Sequence, residues 1–177
     1  MANHEALIDR WIEEHFESVI WDLQDFSRIP SVSRADQAKP GAPFGPDVEA
    51  MLNYALGRAR EYGFEAESHE GYCGSAFFGD RENALGIFGH LDVVPVGEGW
   101  IYPPYGATRA GDYLVGRGVH DNKLGCALGL GLMRMFQALK LPLRHGIRLV
   151  MGGAEETGMQ DIAYFARTQK MPVASIV

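Results

Sequence analysis

Three short segments hold the residues whose types and spacing could do chemistry. They are Gly89-His90-Leu91-Asp92, Gly118-Val119-His120-Asp121-Asn122-Lys123 and Ala154-Glu155-Glu156-Thr157-Gly158. One imidazole among several carboxylates is a donor set for a divalent metal ion. His90 and Asp92 are two apart, so an extended backbone turns both side chains to one face. A metal-bound imidazole usually donates its other N–H to a carboxylate, and Asp92 is placed for that role. The same pair also reads as a strand-end histidine bonded to its neighbour with no metal. Asp121 follows a glycine-bearing turn and precedes a helix. It stands equally as a helix N-cap or as a carboxylate bridging two cations ~3.5–4 Å apart. Glu155 and Glu156 point apart, so one could ligate a metal while the other works as a general base on a water ~3 Å away. Read alone, that pair is a solvated acidic turn. Read together, three such segments, each just after a strand, favour one shared site beyond the strand ends, where open α/β sheets bind ligands.

Other candidates carry less. His145 opens the strand whose far end leads to Glu155, roughly 30 Å away at ~3.3 Å per residue, which removes it from the site. His4 and His15 on the first helix and His69 in a turn read as solvated, and His120 as a minor candidate for an extra contact. Trp100, Tyr102 and Tyr105 in a Pro/Gly-rich loop read as packing rather than a substrate platform. The chain has no GxxxxGK[ST], no GxGxxG after a strand, no GxSxG and no HExxH, which counts against nucleotide, dinucleotide, serine-hydrolase and single-zinc protease chemistry.

The elements that must position these residues follow from hydrophobic periodicity. Leu7, Ile8, Trp11, Ile12, Phe16, Val19, Ile20 and Leu23 recur at helical spacing, predicting a helix over 5–26. A turn-rich loop spans 31–46, and Asp47 is the expected cap of a second helix ending before Gly63. Strands are expected at 64–68, 76–79, 84–88, 113–115, 147–151 and 173–177. Further helices are expected at 123–139 and 162–168. Alternating strands and helices predict an α/β fold with a mixed sheet flanked by helices. The last strand has no turn or polar tail after it, so a domain incomplete at its C-terminus is expected.

Composition sets the outer bounds. The 177 residues carry a net charge of −7, an acidic balance that disfavours phosphate backbones and hence nucleic acid. Cys73 and Cys126 form no spaced cluster and are expected as free, buried thiols. The polar N-terminus lacks a signal-peptide core and no apolar run approaches ~20 residues, so no membrane association and a cytoplasmic location are expected.

The ordered set GHLDVVPVGEGW, YLVGRGVHDNK and GGAEETG resembles the co-catalytic zinc peptidases of the aminoacylase and carboxypeptidase-G clan. The RIPSVS, APFG and WIYPPYG segments narrow the likeness to the peptidase V-type dipeptidases, along essentially the whole chain. The resemblance implies that His90 binds one zinc, Asp92 orients it, Asp121 bridges two zincs, Glu155 is the general base and Glu156 binds the other zinc. It also implies a cis Asp121–Asn122 peptide. The expected substrate is a dipeptide or small peptide, with Mn²⁺ or Co²⁺ as alternative metals. An N-acyl amino acid deacylase or carboxypeptidase of the same clan, and a non-catalytic binding remnant of the fold, are the rival readings.

This sequence departs from the family in having Leu124 before Gly125, where relatives place Gly directly after the lysine. The resemblance places the family's remaining carboxylate and histidine ligands, and its lid or dimerisation domain, outside these residues. On that basis 1–177 is expected to be the N-terminal part of a catalytic domain, with weak metal binding and little turnover alone.

Overall fold

The computed structural model describes residues 4–176. A first helix, α1 (His4–Ser27), is followed by the turn-rich segment and then by α2 (Pro46–Glu61). Proline at the first position, Asp47 and Glu49 in the first turn and Arg58 and Arg60 in the last match α2 to its own dipole. The expected cap is displaced. Gly45, at φ +89°, occupies the N-cap position and Asp47 lies inside the first turn, because Pro46 starts the helix one residue earlier.

The chain then forms β1 (Glu65–His69), β2 (Cys73–Phe78) and β3 (Ala84–His90), a hairpin of β4 (Thr108–Ala110) and β5 (Tyr113–Val115), helix α3 (Lys123–Leu139), β6 (Gly146–Gly152), α4 (Gln160–Thr168) and β7 (Ala174–Ile176). Val177, included in the expected last strand, lies outside the described residues. Five strands make one mixed sheet in the order β1-β2-β6-β3-β7, with β1–β2 and β2–β6 antiparallel and β6–β3 and β3–β7 parallel. The expected α/β class with a mixed sheet between helices is the observed one.

Strand alternation divides the sheet into two faces. Ala76 of β2, Ile87 of β3 and Ile147, Leu149 and Met151 of β6 join the main core, closed by Leu23 and Phe26 of α1, Met51 to Ala59 of α2 and Cys126 to Met133 of α3. The residues between them, Cys73, Phe88 and Val150, face the other way, toward Phe165 and Ile162 of α4. Central strand β6 is buried along its whole length, as expected of a strand covered on both sides. Edge strand β1 carries Glu65 and Glu67, charges that discourage pairing with another chain.

His90 belongs to the α4 face, in step with Phe88, and emerges at the C-terminal end of β3. Helix α3 is fixed there by Lys123, which is fully buried and donates from Nζ to the carbonyls of Phe26 (2.9 Å), in the last turn of α1, and Ile29 (2.6 Å), just past it. Burial pushes the Lys123 pKa down to about 7, and a neutral amine still has two N–H groups for the two carbonyls. Between pH 7 and the ordinary lysine range the unfolded chain therefore holds a proton that the folded chain lacks, so Lys123 favours folding more as pH rises. Lys123→Met should cost about 1–3 kcal/mol by removing two hydrogen bonds, leaving the Phe26 and Ile29 carbonyls only the Ile29 and Ser31 N–H groups. In urea denaturation the stability gap between wild type and Lys123→Met should widen from pH 7 to pH 10.

Candidate metal centre

The three chemistry-bearing segments reach one place by different routes. His90 ends β3, Glu155 and Glu156 follow β6, and β3 and β6 are parallel neighbours with His90 paired to Gly152. The middle segment does not come from the five-stranded sheet. It follows the β4–β5 hairpin, and the start of α3 sets its direction. Asn122, not Asp121, is the N-cap: its side-chain oxygen accepts the Gly125 N–H at 3.2 Å. That excludes the N-cap reading of Asp121, whose carboxylate faces His90. The Asp121–Asn122 peptide is cis, as the resemblance implies. Gly125 is required by that cap, since a Cβ there would collide with Asn122 Oδ1.

His90 and Asp92 are almost completely buried. His90 Nδ1 lies 3.1 Å from the Asp92 carbonyl and 3.3 Å from its carboxylate Oδ1. His90 Nε2 lies 3.1 Å from Asp121 Oδ1 and 3.7 Å from Glu155 Oε2. A metal held on the Nε2 side would leave the Nδ1 proton to the Asp92 oxygens, the arrangement usual for a ligating histidine. One ligand atom from each of His90, Asp121 and Glu156 falls within 4.8 Å of the others, the three side chains that the resemblance assigns to metal.

The backbone of the glutamate pair is held as firmly as the histidine. Asp92 accepts the Glu155 N–H on Oδ1 (3.2 Å) and the Glu156 N–H on Oδ2 (3.1 Å). The preceding N–H, of Ala154, is accepted at 3.0 Å by Asp161 Oδ2, a second buried carboxylate. No motif in the sequence marks Asp161. Its position two residues into α4 suggests only a favourable helix-dipole charge, and its hold on Ala154 exists only once α4 folds back. A Cβ on Gly152 would lie 2.0 Å from Asp161 Oδ2, so the glycine admits that carboxylate.

These contacts gather Asp92, Asp121, Glu155 and Glu156 around a single imidazole. Burial opposes charge on His90, but the Asp92 carboxylate and then Glu155 outweigh it and hold the imidazole pKa up to about 9. Glu156 is raised above the usual carboxylate range by burial and then by the Asp121 charge. Asp161 is raised by burial, against the N–H groups it accepts. Excess negative charge and one preset imidazole nitrogen suit a divalent cation. The donor set fits zinc, and it fits manganese or cobalt as well.

The remaining candidates sort clearly. His145 sits at the opposite end of β6, bonded to Asn83 Oδ1 at 3.1 Å, and His120 is exposed and outside the ligand group. His69 is not solvated. It is the last residue of β1, 7% exposed, with Nε2 2.8 Å from Ser75 Oγ, because β2 and α4 close over the turn that follows. His15 is half-buried and stacks on Trp11 with ring centroids 4.3 Å apart. Trp100 packs, donating to the Val96 carbonyl at 2.7 Å beneath Arg117. Cys73 and Cys126 are free and buried as expected. Among the described residues no helix is long and apolar enough to cross a membrane.

Known proteins resemble this chain in sequence and fold. A Bacillus subtilis (strain 168) protein named "Putative dipeptidase YtjP" is 31% identical over 156 residues, which are 88% of this chain and 34% of that protein. Human carnosine dipeptidase 1 superposes with a TM-score of 0.72 at 24% identity, over 90% of this chain and 36% of the human one. The M20 family metallo-carboxypeptidase Sso-CP2 of Sulfolobus solfataricus gives 0.69 at 23%, over 86% and 35%. The chain thus spans about a third of the length of the relatives it matches. Residues 86–176, just over half the chain and all three chemistry-bearing segments, match peptidase family M20/M25/M40, and the chain belongs to that family.

Proposed function

We propose that this chain carries part of the active site of a metal-dependent dipeptidase that cleaves the peptide bond of small peptides with Glu155 as general base. The observation that carries this reading is the convergence of His90, Asp121 and Glu156 within 4.8 Å beside a second, ungrouped glutamate. His90, Asp121 and Glu156 would hold zinc, with Asp121 bridging where a second ion is bound. When bound, the metal supplies Lewis-acid polarisation of the scissile carbonyl and lowers the pKa of an attacking water.

The protein's own residues do the rest. Asp92 keeps the His90 proton on Nδ1 and fixes the backbone from which both glutamates project. Glu155, with 40% of its side chain exposed, is open enough to meet substrate. Its carboxylate takes a proton from water as the water oxygen bonds to the peptide carbon. It then gives that proton to the nitrogen as the C–N bond breaks. A dipeptide substrate is supported by the designation of the B. subtilis relative. The complete two-zinc set implied by the resemblance needs more ligands than these three.

Zinc titration by calorimetry, in buffers of differing ionisation enthalpy, tests the metal assignment. A neutral His90 is needed for ligation, and its metal-free pKa is about 9. Binding at pH 7.5 should therefore release about one proton, and apparent affinity should rise about tenfold per pH unit until pH 9. His90→Ala and Asp121→Ala should remove the binding, and unchanged binding in either would contradict the assignment. Glu155→Gln should retain zinc while lowering dipeptide turnover by about 10²–10⁴-fold, measured on Zn²⁺-supplemented protein. Equal turnover in this variant would remove Glu155 from the chemistry, and cleavage of N-acyl amino acids but not dipeptides would move the protein to a deacylase.

A further inference from the structure

The α4 face of the sheet is only partly covered. A cavity of about 190 Å³ opens beside the ligand group, with His90, Asp121 and Glu155 at one end. Most of the remaining wall is apolar, formed by Cys73, Phe88, Val150, Met159 and Ile162, with Asn122 and Asp161 as its polar members. Three of these come from adjacent strands of the sheet and two from the start of α4, so the wall is framed by rigid elements rather than by a loop. Phe88 is held in place by an edge-to-face contact with Phe165, ring centroids 5.5 Å apart. Phe88 and Ile162 are nonetheless only partly buried, and Met159 at the rim is 50% exposed. Burial puts the Cys73 thiol up at about 12, so it meets a ligand as a small apolar group rather than as a nucleophile. The carboxylate of Asp161, which also borders this space, accepts N–H groups from Ala154 and Ile162 and so presents little unpaired charge to it.

The volume suits a side chain. An apolar cavity of about 150 Å³ can hold benzene, so 190 Å³ takes an isobutyl or benzyl group with room for its attachment. Position decides what that side chain belongs to, because the cavity is continuous with the residues assigned to metal and to the general base. We propose that this cavity is a specificity subsite for an apolar side chain of the substrate residue adjoining the scissile bond, with Phe88, Val150 and Ile162 as specificity-determining residues. This rests on the dipeptidase reading for the identity of the ligand, while the apolar recognition itself requires no metal.

Leucinamide and glycinamide test it, because they share an ammonium and an amide and differ only in the isobutyl group. Each is titrated into ¹⁵N-labelled protein, with and without Zn²⁺, and followed by amide chemical shifts. Leucinamide should bind at least about tenfold more tightly than glycinamide, as burial of one leucine side chain predicts. It should shift the amides of Phe88, Val150 and Ile162 in both metal states. Ile162→Trp, which fills the cavity from its half-buried wall, should abolish the preference, as should Met159→Trp at the exposed rim if the first variant fails to fold. Equal binding of the two amides, shifts mapped elsewhere, or a preference that survives in a folded variant would overturn the subsite. Leucinamide preference without any zinc binding would leave the subsite standing and overturn the metal reading instead.

Discussion

Three consecutive N–H groups, those of Ala154, Glu155 and Glu156, are accepted by two buried carboxylates, and the rest of the site depends on that clamp. A carboxylate accepting backbone N–H groups makes charge-assisted hydrogen bonds about twice as strong as neutral ones. Its removal would leave buried donors orphaned, at about 1–3 kcal/mol each. Asp161 reaches Ala154 from α4 and Asp92 reaches the two glutamates from beyond β3, so the loop after β6 is gripped from both sides. Asp92 also faces His90 Nδ1. One side chain therefore holds the histidine and the backbone of both glutamates, which couples His90, Glu155 and Glu156 more tightly than their separation in sequence would suggest.

The sheet makes the clamp possible. Parallel pairing of β3 with β6 brings His90 level with Gly152, and period-2 alternation sends apolar residues to the α1–α3 core while His90 faces the α4 side. The third group arrives independently: Lys123 ties the start of α3 to carbonyls at the end of α1, and Asn122 takes the capping role. Asp121 is freed to join His90 and Glu156. Packing energy from the main core thereby sustains a concentration of carboxylates that would repel one another in a loose loop. Such crowding around a single imidazole is relieved by a divalent cation, which connects the stability of the fold to the proposed chemistry.

Much of this arrangement is legible in the sequence because the informative residues lie at element boundaries. His90-Leu91-Asp92 and Glu155-Glu156 each follow an apolar strand and a glycine, and periodicity alone locates α1, α3 and β6 within a residue or two. What is not legible depends on contacts distant in sequence. Whether Asp121 or Asn122 caps α3 turns on one residue of register. Asp161 looks like any acidic residue in a first helical turn until α4 packs back onto the β6 end. His69 reads as a turn residue, yet β2 pairing and Phe165 of α4 enclose it. Strand β4 escapes notice because Thr108-Arg109-Ala110 has no apolar alternation. Only the Gly111-Asp112 pair, with Gly111 at φ +61°, marks the hairpin.

The most direct test of the clamp is the zinc affinity of Asp92→Asn beside wild type, with folding checked by circular dichroism. An asparagine keeps the shape but offers one acceptor oxygen where the carboxylate has two. It can hold only one of the Glu155 and Glu156 N–H groups, and it presents no charge to His90. Loss of a carboxylate that orients a metal-binding histidine typically costs 10–100-fold in metal affinity. A folded Asp92→Asn protein with zinc affinity reduced by about that factor is the result this account predicts. A folded variant that binds zinc as tightly as wild type would contradict it.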